Sequence, residues 1–332
     1  LFPYTTLFRS FLAAIGVVAF HQAGAYIASH QLAELNHFTW GAKGVALFFV
    51  ISGFVIFTSY TRSPVPAKVF AVNRFARIVP SYWALTLLAL VLGQFFKVGG
   101  TPATSLDQVW VWRVSSFAFV SQPLGFHNPI LYQGWSLEYE MFFYGVFTVL
   151  VALKLRGYWL AILTSGIVTL ALLIPGFSID ALGFVLGGIV AETSHRIPKA
   201  RRLFDFGVGL LVVMGLVACF SLARWNPELI WLLSFSGIVF LAVRIPDAST
   251  TSVMRLGSAS YPIYLLQWFT VPVLTRVSNV LFPTGSWSGQ LVTILAAVAG
   301  TTAMGMVWDR LIDQNLTKWT KAILTGFKAK AI

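Results

Sequence analysis

The sequence predicts an all-α protein that crosses a membrane about ten times. Hydrophobic residues make up 57% of the 332 residues and charged residues only 10%, whereas a soluble domain carries about 25% charge. Apolar runs long enough to cross the ~30 Å hydrocarbon layer recur along the chain. The sixth run contains Gly183, Gly187 and Gly188, whose small-residue spacing permits close helix contact. The ten predicted spans are 11–28, 40–60, 78–96, 131–153, 158–175, 181–194, 204–223, 228–244, 257–275 and 288–308.

Basic residues are unevenly distributed between the two sides that these runs define. Of the 23 lysine and arginine residues, 17 fall in loops on one side and four on the other. Because cytoplasmic loops are enriched in Lys and Arg, we expect that side, with both termini, to be cytoplasmic. The net charge of +12 therefore reports orientation, and no nucleic-acid partner is expected. Residues 110–120 are apolar but too short to cross, so we interpret them as re-entrant or interfacial.

The chain is expected to form one domain with two short terminal segments. Residues 1–10, LFPYTTLFRS, look like the translation of a sequencing-adapter primer, and we interpret them as an artefact. Residues 11–310 form the predicted transmembrane domain, and residues 311–332 form a basic cytoplasmic tail. The single cysteine, Cys219, lies in an apolar run, so neither a disulfide framework nor a metal site is expected.

Two arginines precede the third apolar run in the stretch FAVNRFARIVPSYW. Arg74 and Arg77 are three residues apart, so on a helix they share one face. We expect Pro80 in the first turn of the following span, which places both arginines at the membrane entrance. Guanidinium groups offer bidentate donors to phosphate, and a helix start adds partial positive charge. The pair therefore suits a phosphate-bearing ligand; the alternative is an orientation signal that contacts lipid headgroups.

Two ionisable side chains are expected inside the bilayer, where their cost makes each a functional hypothesis. His21 lies about ten residues into the first span. In the stretch WSLEYEMFFY, Glu140 shares a helix face with Ser136 and Tyr144. Glu138 points to nearly the opposite face, towards the outer mouth. We expect Glu140 to share a cavity with His21 and to fix its tautomer, as general-base catalysis requires. The alternative for each group is a structural hydrogen bond.

Further polar residues have two possible interpretations. Ser52, in the stretch GVALFFVISGF, serves either close packing or a developing oxyanion. In the stretch LGSASYPIYLLQW, Tyr261 and Gln267 either bind an acceptor or join helices. Asp309 and Arg310 end the last span, where mutual pairing is the simplest explanation.

Several of these stretches together resemble the acyltransferase 3 family of bacterial inner-membrane O-acyltransferases, which modify cell-surface sugars. The resemblance covers residues 11–309 and rests on AAIGVVAFH, GVALFFVISGF, the arginine pair with its proline, WSLEYEMFFY and LGSASYPIYL. The residues flanking Glu140, Trp135 among them, are closer to the exopolysaccharide-modifying branch than to the O-antigen, or lipopolysaccharide, branch. Three positions depart from the family: Ser10 replaces a basic residue, Gln267 a frequent histidine, and Asp309 a glutamate.

The resemblance implies that an acetyl or similarly short acyl group moves from acyl-CoA to a sugar hydroxyl. Acetyl-CoA or another acyl-CoA would be a co-substrate, with no permanently bound cofactor, and the acceptor would be a carbohydrate or glycolipid. Arg74 and Arg77 would hold the nucleotide phosphates, and His21, oriented by Glu140, would take the hydroxyl proton. Direct transfer and an acyl-enzyme both stay open. Lower-ranked substrate contacts are Ser52, Trp135, Ser136, Tyr261 and Gln267.

A rival function is proton-coupled transport or lipid flipping. His21 and Glu140 would then form a proton relay within the bilayer. Transporters often contain two related halves with interrupted helices at corresponding positions, and the sequence shows no such duplication. Acyl transfer in the inner membrane is therefore the favoured prediction.

Overall fold

A computed structural model of the chain describes residues 4–32, 41, 43–96, 105–126, 128–174, 177–196, 227–244 and 251–326. Every regular element in these ranges is helical, which confirms the all-α prediction. The α-helices are α1 (Tyr4–His30), α2 (Gly44–Arg62), α3 (Ala67–Phe96), α4 (Leu106–Ala118), α5 (Gly134–Ala152), α6 (Trp159–Leu173), α7 (Leu182–Arg196), α8 (Pro227–Arg244), α9 (Thr251–Ser258), α10 (Ser260–Leu281), α11 (Trp287–Trp308) and α12 (Gln314–Thr325).

Several helices have the length and apolarity that a membrane crossing requires. Two further apolar helices are shorter, Trp159–Leu173 and Ile230–Leu241. The predicted span at 204–223, which contains Cys219, lies outside the described residues, so the total of ten spans stays a prediction. Within the described ranges, four stretches are long and apolar enough to cross: Ser10–His30, Gly44–Arg62, Ala67–Gly93 and Trp287–Thr325.

Helices α2 and α7 pack closely along each other through glycines. A Cβ atom added to Gly187 would lie 2.1 Å from the Val50 carbonyl oxygen, and one added to Gly53 would lie 2.2 Å from that of Phe184. These distances confirm the close contact predicted from the glycine spacing. Gly53 therefore has a packing role, and the crossing fixes α2, which carries Ser52.

Helix α3 begins earlier than predicted. It starts at Ala67 and contains Pro80 in its interior, whereas the sequence placed Pro80 in a first turn. Proline removes one backbone donor, but membrane helices tolerate it when neighbouring groups satisfy the freed backbone. Because Arg74 and Arg77 lie about two to three turns inside the helix, the expected contribution of a helix start to phosphate binding is wrong.

Residues 105–126, between α3 and α5, form a short helix and a loop rather than a crossing. Helix α4 has 13 residues and is capped by Ser105, which accepts a hydrogen bond from the Gln108 backbone N–H at 3.3 Å. At ~20 Å, a helix of this length does not span the hydrocarbon layer. The Trp112 indole N–H donates to the Asn128 carbonyl at 2.8 Å, which ties the helix to the approach to α5.

Helix α1 packs against α10 and α11, and α12 packs against α3. A turn of π-helix, Asp309–Asp313, joins α11 to α12. Asp309 accepts hydrogen bonds from the Ser258 hydroxyl at 3.0 Å and from the Gln314 amide at 2.9 Å. The expected pairing of Asp309 with Arg310 is therefore corrected, because the carboxylate faces α9 and the start of α12.

Candidate active site

His21 is held by a side chain from α10. Its Nδ1 lies 2.9 Å from Oε1 of Gln267, and the Gln267 Nε2 donates to the Tyr264 carbonyl oxygen at 2.7 Å. That second bond fixes the amide so that its acceptor oxygen faces the imidazole. Since an amide oxygen only accepts, Nδ1 carries the proton and the Nε2 lone pair is available as a base.

Around the imidazole, α5 and its approach supply aromatic and hydroxyl groups. The Tyr132 ring lies edge-on to His21 with centroids 5.9 Å apart, and Tyr132 is 42% exposed. One turn further, the Ser136 hydroxyl lies 2.7 Å from the Tyr264 hydroxyl. Tyr264 therefore links α5 to the residue that holds His21, because its hydroxyl bonds Ser136 and its carbonyl oxygen accepts from Gln267.

Glu140 lies on α5 one turn beyond Ser136. The Ser52 hydroxyl donates to its Oε1 at 3.3 Å, and the Tyr144 hydroxyl donates to the same oxygen. Arg77 and Arg74 lie within electrostatic range of this carboxylate. Glu140 therefore joins α2, α5 and the arginine face of α3.

The expected partnership of Glu140 with His21 differs from the structure. Gln267 from α10 occupies the position beside Nδ1 that was expected for a carboxylate. Glu140 is directed instead towards Ser52 and Tyr144, because Tyr144 shares its face of α5 and Ser52 faces it from α2. The side chain that contacts Nδ1 of His21 is therefore a neutral amide, and Glu140 lies on the side of the arginines.

The two arginines share a helix face but differ in exposure. The Arg74 guanidinium lies over the Phe70 ring at 5.3 Å and the Tyr144 ring at 5.7 Å, whereas Arg77 is exposed. Cation–π contacts hold a guanidinium in place without neutralising its charge. Neither arginine forms an ion pair within 4.0 Å in the described part of the chain, so their charge is available to an anion.

Glu138, two residues before Glu140, makes separate contacts from the opposite face of α5. Its two carboxylate oxygens accept the backbone N–H groups of Ser121 at 2.9 Å and Gln122 at 3.0 Å. The opposite orientation of the two glutamates agrees with their spacing. Glu138 therefore anchors the loop 119–126, which follows α4.

The lower-ranked candidates mostly join helices. The Tyr261 hydroxyl donates to the Ile78 carbonyl at 2.7 Å and so joins α10 to α3. Trp135 is an exception, because its ring meets Tyr139 of the same helix edge-on with centroids 5.9 Å apart. Gln267, only 1% exposed, holds His21. Their roles as substrate contacts stay predictions, as does that of Ser136.

Sequence reasoning missed three residues near this site. Tyr132 stands before α5, Arg62 ends α2, and Lys321 on α12 lies within electrostatic range of both arginines of α3. Lys321 was assigned only to a basic tail. The alternation of polar and apolar residues along α12 was the available signal, but no pattern in the sequence predicted that α12 packs against α3.

The sequence matches, over residues 11–306, the family model described as an acyltransferase domain. The chain belongs to the acyltransferase 3 family. It is also 30% identical over 320 residues to the "Exopolysaccharide production protein ExoZ" of Rhizobium meliloti (strain 1021), with 89% of this chain and 96% of that protein covered. No solved structure matches the chain.

Family membership decides between the two functional classes. The protein is a transferase of the O-acyltransferase type, and its apolar helices place it in a membrane. The family match contains His21, Gln267, Glu140 and the arginine pair, but it ends before α12. This acyltransferase 3 protein therefore carries its candidate site within the family domain.

Proposed function

We propose that this protein transfers an acetyl or other short acyl group from acyl-CoA to a hydroxyl of an exported or cell-surface sugar. The observation that carries the proposal is that one face of α5 carries two sets of polar contacts. Ser136 bonds Tyr264 next to the Gln267–His21 pair, and Glu140, one turn further along, accepts from Tyr144, whose ring lies against Arg74. The proposed location is the bacterial inner membrane.

The donor is proposed to enter at the arginine face of α3. Acyl-CoA carries phosphates, and paired guanidinium groups suit phosphate. Arg74 and Arg77 would bind the nucleotide, and Glu140, through Tyr144, would keep Arg74 in position. The basic side of the chain is proposed to be cytoplasmic, where acyl-CoA is made.

His21 is proposed to act as the general base. Its Nε2 takes the proton from the acceptor hydroxyl as the oxygen attacks the thioester carbonyl carbon. The carbon–sulfur bond then breaks, and the imidazolium returns the proton to the departing thiolate. Gln267 keeps Nδ1 protonated throughout, so the reactive nitrogen stays the same.

The acceptor is proposed to be a sugar of an exopolysaccharide or its lipid-linked precursor. The support is the relative from Rhizobium meliloti, whose name refers to exopolysaccharide production. The aromatic residues that flank Glu140, Trp135 among them, add to it. Tyr132, exposed beside His21, offers an aromatic surface for a sugar ring. A lipopolysaccharide acceptor is the second candidate.

Transfer of labelled acetyl groups from acetyl-CoA to membrane glycans tests the function. We expect His21→Ala to reduce labelling to background, because proton transfer contributes about 10²- to 10⁴-fold in general-base catalysis. His30→Ala is the matched control, since His30 ends the same helix and bonds the Phe282 carbonyl at 2.8 Å. A parallel Ser10→Arg version restores the basic residue that the family has before the histidine.

Normal labelling by His21→Ala would remove the histidine from the mechanism. Movement of a sugar lipid across vesicles without any labelling would instead support the transporter function. Measuring both activities in the same membranes separates these outcomes.

A further inference from the structure

A cavity of ≈250 Å³ opens between the end of α2 and the start of α3. Its lining from α3, Phe70, Asn73 and Arg74, belongs to the arginine-containing stretch noted in the sequence, whereas its lining from α2 was not predicted. The lining residues used below are Thr58, Ser59, Arg62, Phe70, Asn73 and Arg74.

Three lining residues carry buried polar atoms without a hydrogen-bond partner in the described ranges. They are Oγ1 of Thr58, Oγ of Ser59 and Nε of Arg74. Buried polar groups are normally satisfied, because leaving one unpaired costs its full desolvation. Three such atoms on one cavity point to a polar ligand that supplies the missing partners.

The charge of the cavity identifies the kind of ligand. Two guanidinium groups, Arg62 and Arg74, line it, and none of the lining residues in the described part of the chain carries a carboxylate. Arg74 is additionally held over the Phe70 ring. Two arginines with hydroxyl and amide donors suit a doubly charged phosphate, whose oxygens accept several hydrogen bonds.

We propose that this cavity binds the phosphomonoester on the ribose of the acyl-CoA nucleotide, with Arg62 as a specificity-determining residue. The inference rests on the proposed function. A cavity of ≈250 Å³ is smaller than the ~300–1,000 Å³ of sites that enclose a whole ligand. It therefore holds one end of the donor, while Arg74 and Tyr144 lead the rest towards Glu140.

The experiment measures binding of coenzyme A and of 3′-dephospho-coenzyme A to the full chain in phosphatidylcholine nanodiscs. The unmodified protein is expected to bind coenzyme A about tenfold more tightly, since a charge-assisted contact is lost without the phosphate. Arg62→Gln is expected to weaken coenzyme A binding to the level of the dephosphorylated ligand and to leave the latter unchanged. Thr58→Val is expected to reduce the same discrimination.

Lys68→Gln is the matched control, because Lys68 is exposed on the first turn of α3 and does not line the cavity. It is expected to keep the discrimination of the unmodified protein. Thermal unfolding of each variant confirms that the fold is retained.

Distinct results would overturn the inference. If Arg62→Gln still binds coenzyme A more tightly than the dephosphorylated ligand, the phosphate binds elsewhere. The same holds if this variant loses affinity equally for both ligands. Absence of coenzyme A binding to the unmodified protein contradicts the proposed function itself. If phosphatidylglycerol nanodiscs abolish the discrimination and Arg62→Gln restores it, the cavity binds a lipid phosphate instead.

Discussion

At the scale of single residues, the geometry around His21 depends on one amide. The side-chain oxygen of Gln267 accepts a hydrogen bond from Nδ1–H of His21, and its side-chain nitrogen donates to the carbonyl oxygen of Tyr264. The amide therefore cannot flip without losing a hydrogen bond. A carboxylate would add charge to the bilayer interior at considerable cost. A buried amide achieves the same tautomer without that charge.

Replacing Gln267 should lower turnover more than it affects substrate binding. Loss of a hydrogen bond to a buried group costs about 1–3 kcal/mol, so Gln267→Leu should reduce kcat by about 5- to 150-fold. Gln267→His retains a hydrogen-bonding side chain and should recover part of the rate. Steady-state kinetics with acetyl-CoA give kcat and KM separately. Equal kcat for both variants would contradict a positioning role.

Sequence reasoning placed residues on shared helix faces but did not find their partners on other helices. The helical period correctly put Glu140 and Tyr144 on one face, because that relation is local. The partner of His21 is 246 residues away along the chain, and no spacing rule reaches that far. Gln267 was therefore named only as a possible substrate contact.

At the scale of elements, α12 brings a third cation to the arginine face. Lys321 is partly buried and lies within electrostatic range of Arg74 and Arg77. Like charges repel, so three neighbouring cations are favourable when an anion lies between them. The element beyond the family match thus completes the proposed donor entrance.

Lys321→Gln should weaken acyl-CoA binding. The expected loss is about 1 kcal/mol for one partly exposed charge, or about fivefold in Kd. Lys318→Gln removes an exposed charge from the same helix and should leave Kd unchanged. Titration calorimetry of both variants makes the comparison. Matching Kd values for the two would restrict α12 to a structural role.

Element boundaries show where sequence reasoning ends. The glycine spacing of the sixth run predicted its close contact, because small residues have one main use between membrane helices. Pro80 misled the placement of α3, since proline is equally compatible with a first turn and with a packed helix interior.

At the scale of the whole molecule, the arginine face, the cavity and Lys321 all belong to elements at the predicted cytoplasmic side. Charge asymmetry in the loops is the reason for that orientation. The same asymmetry concentrates cations at the proposed entrance for acyl-CoA. Orientation and donor binding are therefore expected to rest on overlapping residues.

Cysteine accessibility tests the orientation. In a Cys219→Ser background, Ser288→Cys, at the second residue of α11, should react with a membrane-impermeant thiol reagent on spheroplasts. Ser63→Cys, just after α2, should react only after the membrane is opened. Both positions are exposed. Reversal of the two patterns would place the arginine face outside.

The anchoring of the loop 119–126 has a consequence for how related enzymes diverge. Glu138 binds peptide nitrogens of this loop, and every amino acid except proline offers one. We expect relatives to vary at exposed loop positions such as Leu124, which is 55% exposed, because the attachment uses peptide nitrogens. Ser121 is fully buried, so its side chain should vary much less.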